Sequence, residues 1–529
     1  MRSRALIVVA VLSAALVSGG WVMQAGFDGA GSGGGTRARL FDEVMAHVER
    51  FYIDSVADDE LYKKAVDGML LELHDPHSAF LTPDRLAKLN ESTSGRYAGV
   101  GIQMDLRDGW ITVVTPLPGT PAEQAGILTG DRIVEIDGRP TKGWTSDEAL
   151  KALRGEPGTT VHLIVERPGS TMRLPFALNR EEIHFRSVRH ALMLRDSIGY
   201  VDLTVFSESS NTELRVAVDS LRRAGMRSLV FDLRGDPGGL LDQGVAVAEL
   251  FLDPGKKIVS MRGRGRDGDR DFAARFPQPW PELRLAVLVD SGSASAAEIV
   301  AGALQDHDRA LIVGTTTYGK GSAQSLFPVA GGGALKLTTA LWFTPSGRSI
   351  NRPRGTAGDD DDGPADALET LGEQKPRPRF ATDGRRTVLG GGGIAPDVAV
   401  DDSVANRMER ELQLALGKHV PDFRDVLTAY ALSVKARHGI LSPTFAVTPS
   451  MRAELYQRLR ERSVLIARGA FDAVGPLVDR LLGYQIARYV FGAEAEFERT
   501  THDDAAIKAA LSLLRGATSQ QDLLKRAKG

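Results

Sequence analysis

Two short segments carry residue types arranged for hydrolytic chemistry. The first is Ser291-Gly292-Ser293-Ala294-Ser295-Ala296-Ala297-Glu298, which follows the apolar run Leu285–Val289 and opens a helical pattern. Ser295 with Glu298 three residues later is a capping box, and a cap alone would explain it. The position also suits a nucleophile. A helix N-terminus offers unpaired backbone N–H groups and the positive end of the dipole, both favourable to a developing oxyanion. The second segment is Thr315-Thr316-Thr317-Tyr318-Gly319-Lys320-Gly321-Ser322-Ala323-Gln324, after the apolar run Ala310–Val313. A strand–helix–strand unit in a parallel sheet crosses over right-handed, so both loops leave at the same carboxyl edge. Ser295 and Lys320 are then neighbours. Lys320 lies between two glycines, so backbone packs closely around it. Burial there disfavours the ammonium, and a neutral amine takes the Ser295 proton as general base. Gln324 is placed to bond that amine and aim it. A third segment, Asp232-Leu233-Arg234-Gly235-Asp236-Pro237-Gly238-Gly239, closes the run Ser228–Leu233, and its glycines let backbone N–H groups face a substrate.

Competing motifs are incomplete. Gly314 to Lys320 fits G-x-x-x-x-G-K, but Gly321 stands where a phosphate loop needs Ser or Thr for magnesium. Gly263–Gly268 fits G-x-G-x-x-G, but it is rich in arginine and no helical pattern follows, so it reads as a surface loop. Neither G-x-S-x-G nor S-x-x-K occurs. His307 invites a Ser-His-Asp reading, yet it ends the helix that Ser295 begins, roughly 18 Å away at 1.5 Å per residue. It reads as a surface residue. His74-Asp75-Pro76-His77 and the run Asp359–Asp362 have metal-ligand types; a turn and a solvated insertion explain them more simply.

These segments need an α/β frame. The 529 residues suggest three or four domains at about 150 residues each. Hydrophobic residues at 42% are enough to bury their cores. Lys+Arg at 65 against Asp+Glu at 68 argue against a nucleic-acid partner, which would favour a basic excess. Without cysteine there is no disulfide scaffold, thiolate metal site, Cys nucleophile or lipoprotein anchor. Arg2 and Arg4 precede an uncharged stretch from Ala5 to Phe27, followed by a Gly/Ser-rich linker. This is an export signal, either cleaved or kept as an anchor. Arg39–Leu73 reads helical, and Tyr97–Arg180 is a compact block of short strands. His184–Val400 alternates strands and helices, which implies an α/β layer structure with some parallel strands. Asp401–Gly529 is largely helical and carries no readable chemical motif.

Ser295–Asp306, Tyr318–Gln324 and Asp232–Gly239 together resemble the carboxyl-terminal processing peptidases, or tail-specific proteases, over about Leu40 to Val400. Gly384–Asp397 resembles the end of that family's core. The resemblance implies an α/β Ser/Lys endopeptidase core with an inserted PDZ domain, an N-terminal helical segment and a largely helical C-terminal region. Its boundaries are a signal peptide or anchor at 1–27, a linker at 28–38, helices at 39–94, the PDZ at 95–182, the core at 183–400 with an insertion at 351–390, and 401–529. It makes Ser295 the nucleophile, Lys320 the base and Gln324 its orienting partner. The oxyanion hole falls to the amide of Ala296 with that of Gly238 or Gly239. Glu298, Asp306 and Thr317 match positions that support the site. Asp290 and Ala297 stand where relatives commonly have Asn and Ser.

Gly99, Val100, Gly101 and Ile102 match the PDZ carboxylate loop. Successive N–H groups there form a nest for a chain end, and the peptide adds as a strand. No cofactor or metal is implied. The partners are proteins or peptides with free C-termini. A homo-oligomer, an adaptor protein and membrane anchoring through 5–27 stay open, with the periplasm or cell envelope as location. The rival expectation is a non-catalytic or partner-gated PDZ sensor on a protease scaffold.

Overall fold

The computed structural model describes residues 34–167, 172–264, 268–352, 377–400 and 403–527. The uncharged stretch Ala5–Phe27 read as an export signal, the run Asp359–Asp362 and the middle of the segment Gly263–Gly268 lie outside them. Among the described residues no helix is long and apolar enough to cross a membrane.

The chain divides into two units, 1–82 with 326–338, and 83–325 with 339–529. In the first, the expected single helical stretch is two helices, Gly34–Phe51 and Asp58–Leu71. Asp75 accepts bonds from the His77 N–H at 3.3 Å and the Ser78 hydroxyl at 2.6 Å, which makes the His-Asp-Pro-His segment a turn. Ala79–Leu81 then pairs antiparallel with 334–336.

In the second unit a six-stranded sheet runs in the order Val188–Met193, Ile198–Leu203, Ser228–Asp232, Arg284–Val289, Leu311–Gly314, Val398–Ala399. The first pair is antiparallel and the rest are parallel. Near-continuous Val, Leu and Ile fit strands buried on both faces. Side chains alternate across the sheet. Leu229, Phe231, Val287 and Val289 pack against Ser210–Arg223, Leu241–Glu249 and Ala296–Asp306. Val230, Ala286, Leu288 and Val313 face Ile507, Ala510, Leu514 and Leu523 of the C-terminal helices Ala505–Gly516 and Gln520–Arg526. The end of the chain is therefore one layer of the core. Asp504 joins the two: it caps its helix through the Ile507 N–H at 2.8 Å and receives Arg234 at 2.7 Å.

The inserted domain has a six-stranded antiparallel sheet, in the order Ile102–Arg107, Trp110–Pro116, Arg132–Ile136, Thr160–Glu166, Arg173–Asn179, with the short strand Arg139–Pro140 also paired to Arg132–Ile136. Its helix Ser146–Leu153 starts on a Thr145–Glu148 capping box. Helices between residues 403 and 491 form a separate apolar cluster around Phe423, Tyr430, Leu455 and Phe471. They grip the inserted domain through Arg462 on Asp108 and Arg107 on Asp425.

Asp504→Ala removes a cap worth about 1 kcal/mol and leaves Arg234 short of a partner. It should lower the thermal unfolding midpoint, whereas Asp503→Ala, next to it, should not approach that loss.

Candidate active site

Three loops leave the carboxyl edge of the parallel strands, and hydrogen bonds lock them together. Asp290 Oδ1 accepts the N–H groups of Gly235 and Gly292, both at 2.9 Å, and of Ser293 at 3.1 Å. The Ser293 hydroxyl donates to the Leu233 carbonyl at 2.8 Å, and the Ala294 N–H to the Asp236 carbonyl at 2.9 Å. The Tyr318 N–H reaches the Ser293 carbonyl at 3.0 Å. So held, Ser295 adopts φ 53° and ψ −112°, a conformation that a side chain other than glycine's enters only under strain.

Glu298 ties the serine to the lysine. It is fully buried. Its Oε1 accepts the Thr317 hydroxyl at 2.5 Å and the Gly319 N–H at 2.7 Å. Its Oε2 accepts the Ser295 and Lys320 N–H groups, each at 2.9 Å. Burial raises this carboxyl above its ordinary range, and the four donors oppose the rise. Thr317, also buried, accepts the Ile394 N–H at 2.7 Å, so its hydroxyl proton is free for Glu298. Gly393 must be glycine here: its φ is +85°, and a Cβ would stand 2.3 Å from the Thr317 carbonyl oxygen.

Ser295 and Lys320 are half-buried. The glycines beside Lys320 pack as their type predicts. A Cβ on Gly319 would meet Arg352 at 2.7 Å, and one on Gly321 would meet Asn351 at 2.9 Å. Gln324 donates to the Ser322 hydroxyl at 3.0 Å. The Ala296 amide, at the first helical position, has no acceptor among the described residues. Gly238 lies against it: a Cβ there would fall 2.9 Å from the Ala296 nitrogen and 2.8 Å from Ser295 Cβ. The Gly238 N–H is committed to Asp236 Oδ1 at 2.7 Å, while the Gly239 N–H has no acceptor among the described residues.

Two residues do not sit where their sequence reading put them. Asp306 ends the serine helix, about 16 Å from Ser295. There it pairs with the buried Arg348 at 2.8 Å and receives the Ser346 N–H at 3.0 Å. It anchors the far end of the helix. His307 is not the surface residue its position suggested. Its side chain is 8% exposed, with one ring nitrogen 2.9 Å from Asp383 and the other 2.7 Å from the Lys257 carbonyl.

Sequence reasoning gave no role to Asp290, Ile394 or the Arg234 network. Arg234 is gripped by Asp232 and Asp504, whose charges outweigh burial and hold the guanidinium above its ordinary value. Burial, reinforced by Asp232, also raises the Tyr200 hydroxyl, which donates to Asp232 at 2.7 Å. The D-x-G-S and D-P-G patterns around Asp290 and Asp236 are the local signal that marks such turns.

In the inserted domain Gly101 has φ +77°, and a Cβ would lie 2.2 Å from Thr120 Cβ. The Gly101 carbonyl accepts the Leu117 N–H at 2.8 Å. The amides of Val100 and Gly101 have no acceptor among the described residues. Gly99 ends a strand paired to Glu181, and Ile102 begins the edge strand of the sheet. A nest of free N–H groups beside an edge strand can take a carboxylate-terminated strand.

Comparison with known proteins matches these parts. Residues 197–360 fit the profile of Peptidase family S41, and residues 112–167 that of a PDZ domain. The carboxy-terminal-processing protease of Bartonella bacilliformis is 40% identical over 314 residues, 59% of this chain and 71% of the relative. The carboxy-terminal processing protease CtpA of Bacillus subtilis is 33% identical over 321 residues, 61% and 68% of the two chains. Among solved structures, a photosystem II D1 C-terminal processing protease aligns at 28% identity and TM-score 0.36, covering 68% of this chain and 86% of its own.

Glu298→Gln turns one acceptor into a donor facing other donors. It should cost about 3 kcal/mol or more, seen in denaturant unfolding, and should abolish turnover. Gly238→Ala should keep the circular dichroism of the parent and lose at least about a hundredfold in turnover, since its methyl meets Ser295.

Proposed function

This chain belongs to peptidase family S41, the carboxy-terminal processing serine proteases, and on that premise we propose that it is an exported Ser/Lys endopeptidase that selects protein C-termini through its PDZ domain. The observation that carries the mechanism is the Glu298 carboxylate, which bonds the backbone N–H of both Ser295 and Lys320.

Ser295 Oγ attacks the scissile carbonyl as the Lys320 amine takes its proton. The oxyanion that forms is met by the Ala296 amide and, with Gly238 committed to Asp236, by the Gly239 amide. The lysine ammonium returns the proton to the leaving amine. Water, deprotonated by the same lysine, then releases the acyl group from Ser295. The open amides of Val100 and Gly101 receive the substrate's terminal carboxylate, and its last residues add to the Ile102–Arg107 edge. The apolar stretch Ala5–Phe27 supports export, as a cleaved signal or a retained anchor.

Full-length protein and its Ser295→Ala and Lys320→Ala variants should be incubated with an unfolded protein ending in an apolar residue, and the fragments weighed. Each variant should fold as the parent does and lose about a thousandfold or more in rate. Turnover by Ser295→Ala would refute the mechanism. For the PDZ role, a peptide with a free carboxylate should be cut faster than its amidated twin. Equal rates would remove the carboxylate nest from the account.

A further inference from the structure

Four carboxyl groups line the loops that carry the site: Asp232, Asp236, Asp290 and Glu298. Three of them each hold several donors. Asp236 differs. It is wholly buried, its Oδ1 accepts the Gly238 N–H, and its Oδ2 is buried with no hydrogen-bond partner among the described residues. An ionised carboxylate in such a place, with one donor and no ion-pair partner among the described residues, is strongly disfavoured.

The charged groups on the elements around it include Lys320, half-buried on the lysine loop; those on its own loop, the serine loop and helix, and the neighbouring loop and helix are committed elsewhere or exposed. Arg234, on its own loop, is bound by Asp232 and Asp504. Asp290 and Glu298, from the serine loop and helix, hold backbone donors. Glu208 and Asp242, on the neighbouring loop and helix, are exposed.

We propose that Asp236 is a positioning residue of the oxyanion hole that works uncharged: its carboxyl pins the Gly238 amide and leaves the Gly239 amide to the reacting carbonyl. The proposal rests on the Ser/Lys reading above. Burial supports the neutral form, since it pushes this carboxyl well above the usual range against the single Gly238 bond. Neutrality also has a purpose. The Ala296 amide and Ser295 lie directly against Gly238, so a bare charge on Asp236 would oppose the negative charge of the tetrahedral intermediate. As pH rises through the Asp236 pKa, the proton leaves and turnover falls.

The test is kcat/KM against pH, from about 6 to 10, for the full-length parent, Asp236→Asn and Asp236→Ala, with thermal unfolding followed at each pH. The parent should lose activity on the alkaline side before it unfolds. Asp236→Asn, which keeps the acceptor and cannot ionise, should retain activity there. Asp236→Ala should be weaker by about a hundredfold at every pH, and the asparagine variant should restore most of that loss. An alkaline limb that is the same in parent and Asp236→Asn, or absent from the parent, would overturn the proposal. An alanine variant that fails to fold leaves the parent–asparagine comparison decisive. Absence of Ser295-dependent cleavage in the parent at any pH would instead overturn the Ser/Lys reading, and this proposal with it.

Discussion

A fully buried carboxylate, Glu298, sets the relation between Ser295 and Lys320, the proposed nucleophile and base. Each of its oxygens takes two donors, and those donors come from the serine loop and the lysine loop. The consequence is mechanical. Ser295 and Lys320 are each placed through their own backbone N–H groups. The negative charge costs desolvation. That cost is offset locally, because Glu298 lies in the first turn of its helix, where the dipole favours an anion, and because all four partners are donors.

The anchor in turn depends on the sheet. Parallel pairing of Ser228–Asp232, Arg284–Val289 and Leu311–Gly314 delivers three loops to one edge, and only then can one carboxylate reach two of them. The last helices of the chain belong to the same construction. They close the second face of the sheet, and Asp504 continues a chain of contacts through Arg234 and Asp232 to Tyr200, at the root of the glycine loop. A region without a chemical motif is thus bonded to the loop that carries the proposed oxyanion hole.

Much of this was legible from residue pattern. The apolar runs gave the core strands to within about two residues, because strands buried on both faces have a signature that local sequence carries in full. The Ser295–Glu298 pair was legible as a helix start for the same reason: a capping box is a contact three residues long. The second half of the Glu298 role was not. Its bonds to Thr317, Gly319 and Lys320 span about twenty residues and exist only after the crossover is made. Asp504 was harder still, since its partner is 270 residues away. His307 misled for a related reason. Its place at a helix end suggested exposure, but the tertiary contacts with Asp383 and the Lys257 carbonyl decide its burial. The single helical stretch expected near the N-terminus missed its break, because the two helices share one apolar period and Ala57 turns extended between them.

The chemistry sharpens what these contacts must achieve. An acyl-transfer site has to stabilise a growing oxyanion, yet the loops here bring four acidic side chains close to it. The fold answers by aiming three of those charges inward. Asp232 is spent on a guanidinium and a phenol, Asp290 on the turn of the serine loop, and Glu298 on the backbone of Ser295 and Lys320. Each field is taken up by donors that the scaffold needs in any case. What is left is the complementary set: the amides of Ala296, at the positive end of its helix, and of Gly239, neither with an acceptor among the described residues. The same bonds that fix the geometry therefore also sort the charge. They direct carboxylates into the protein and N–H groups toward the substrate, and this accounts for a site that is rich in acid residues and still suited to an anionic intermediate.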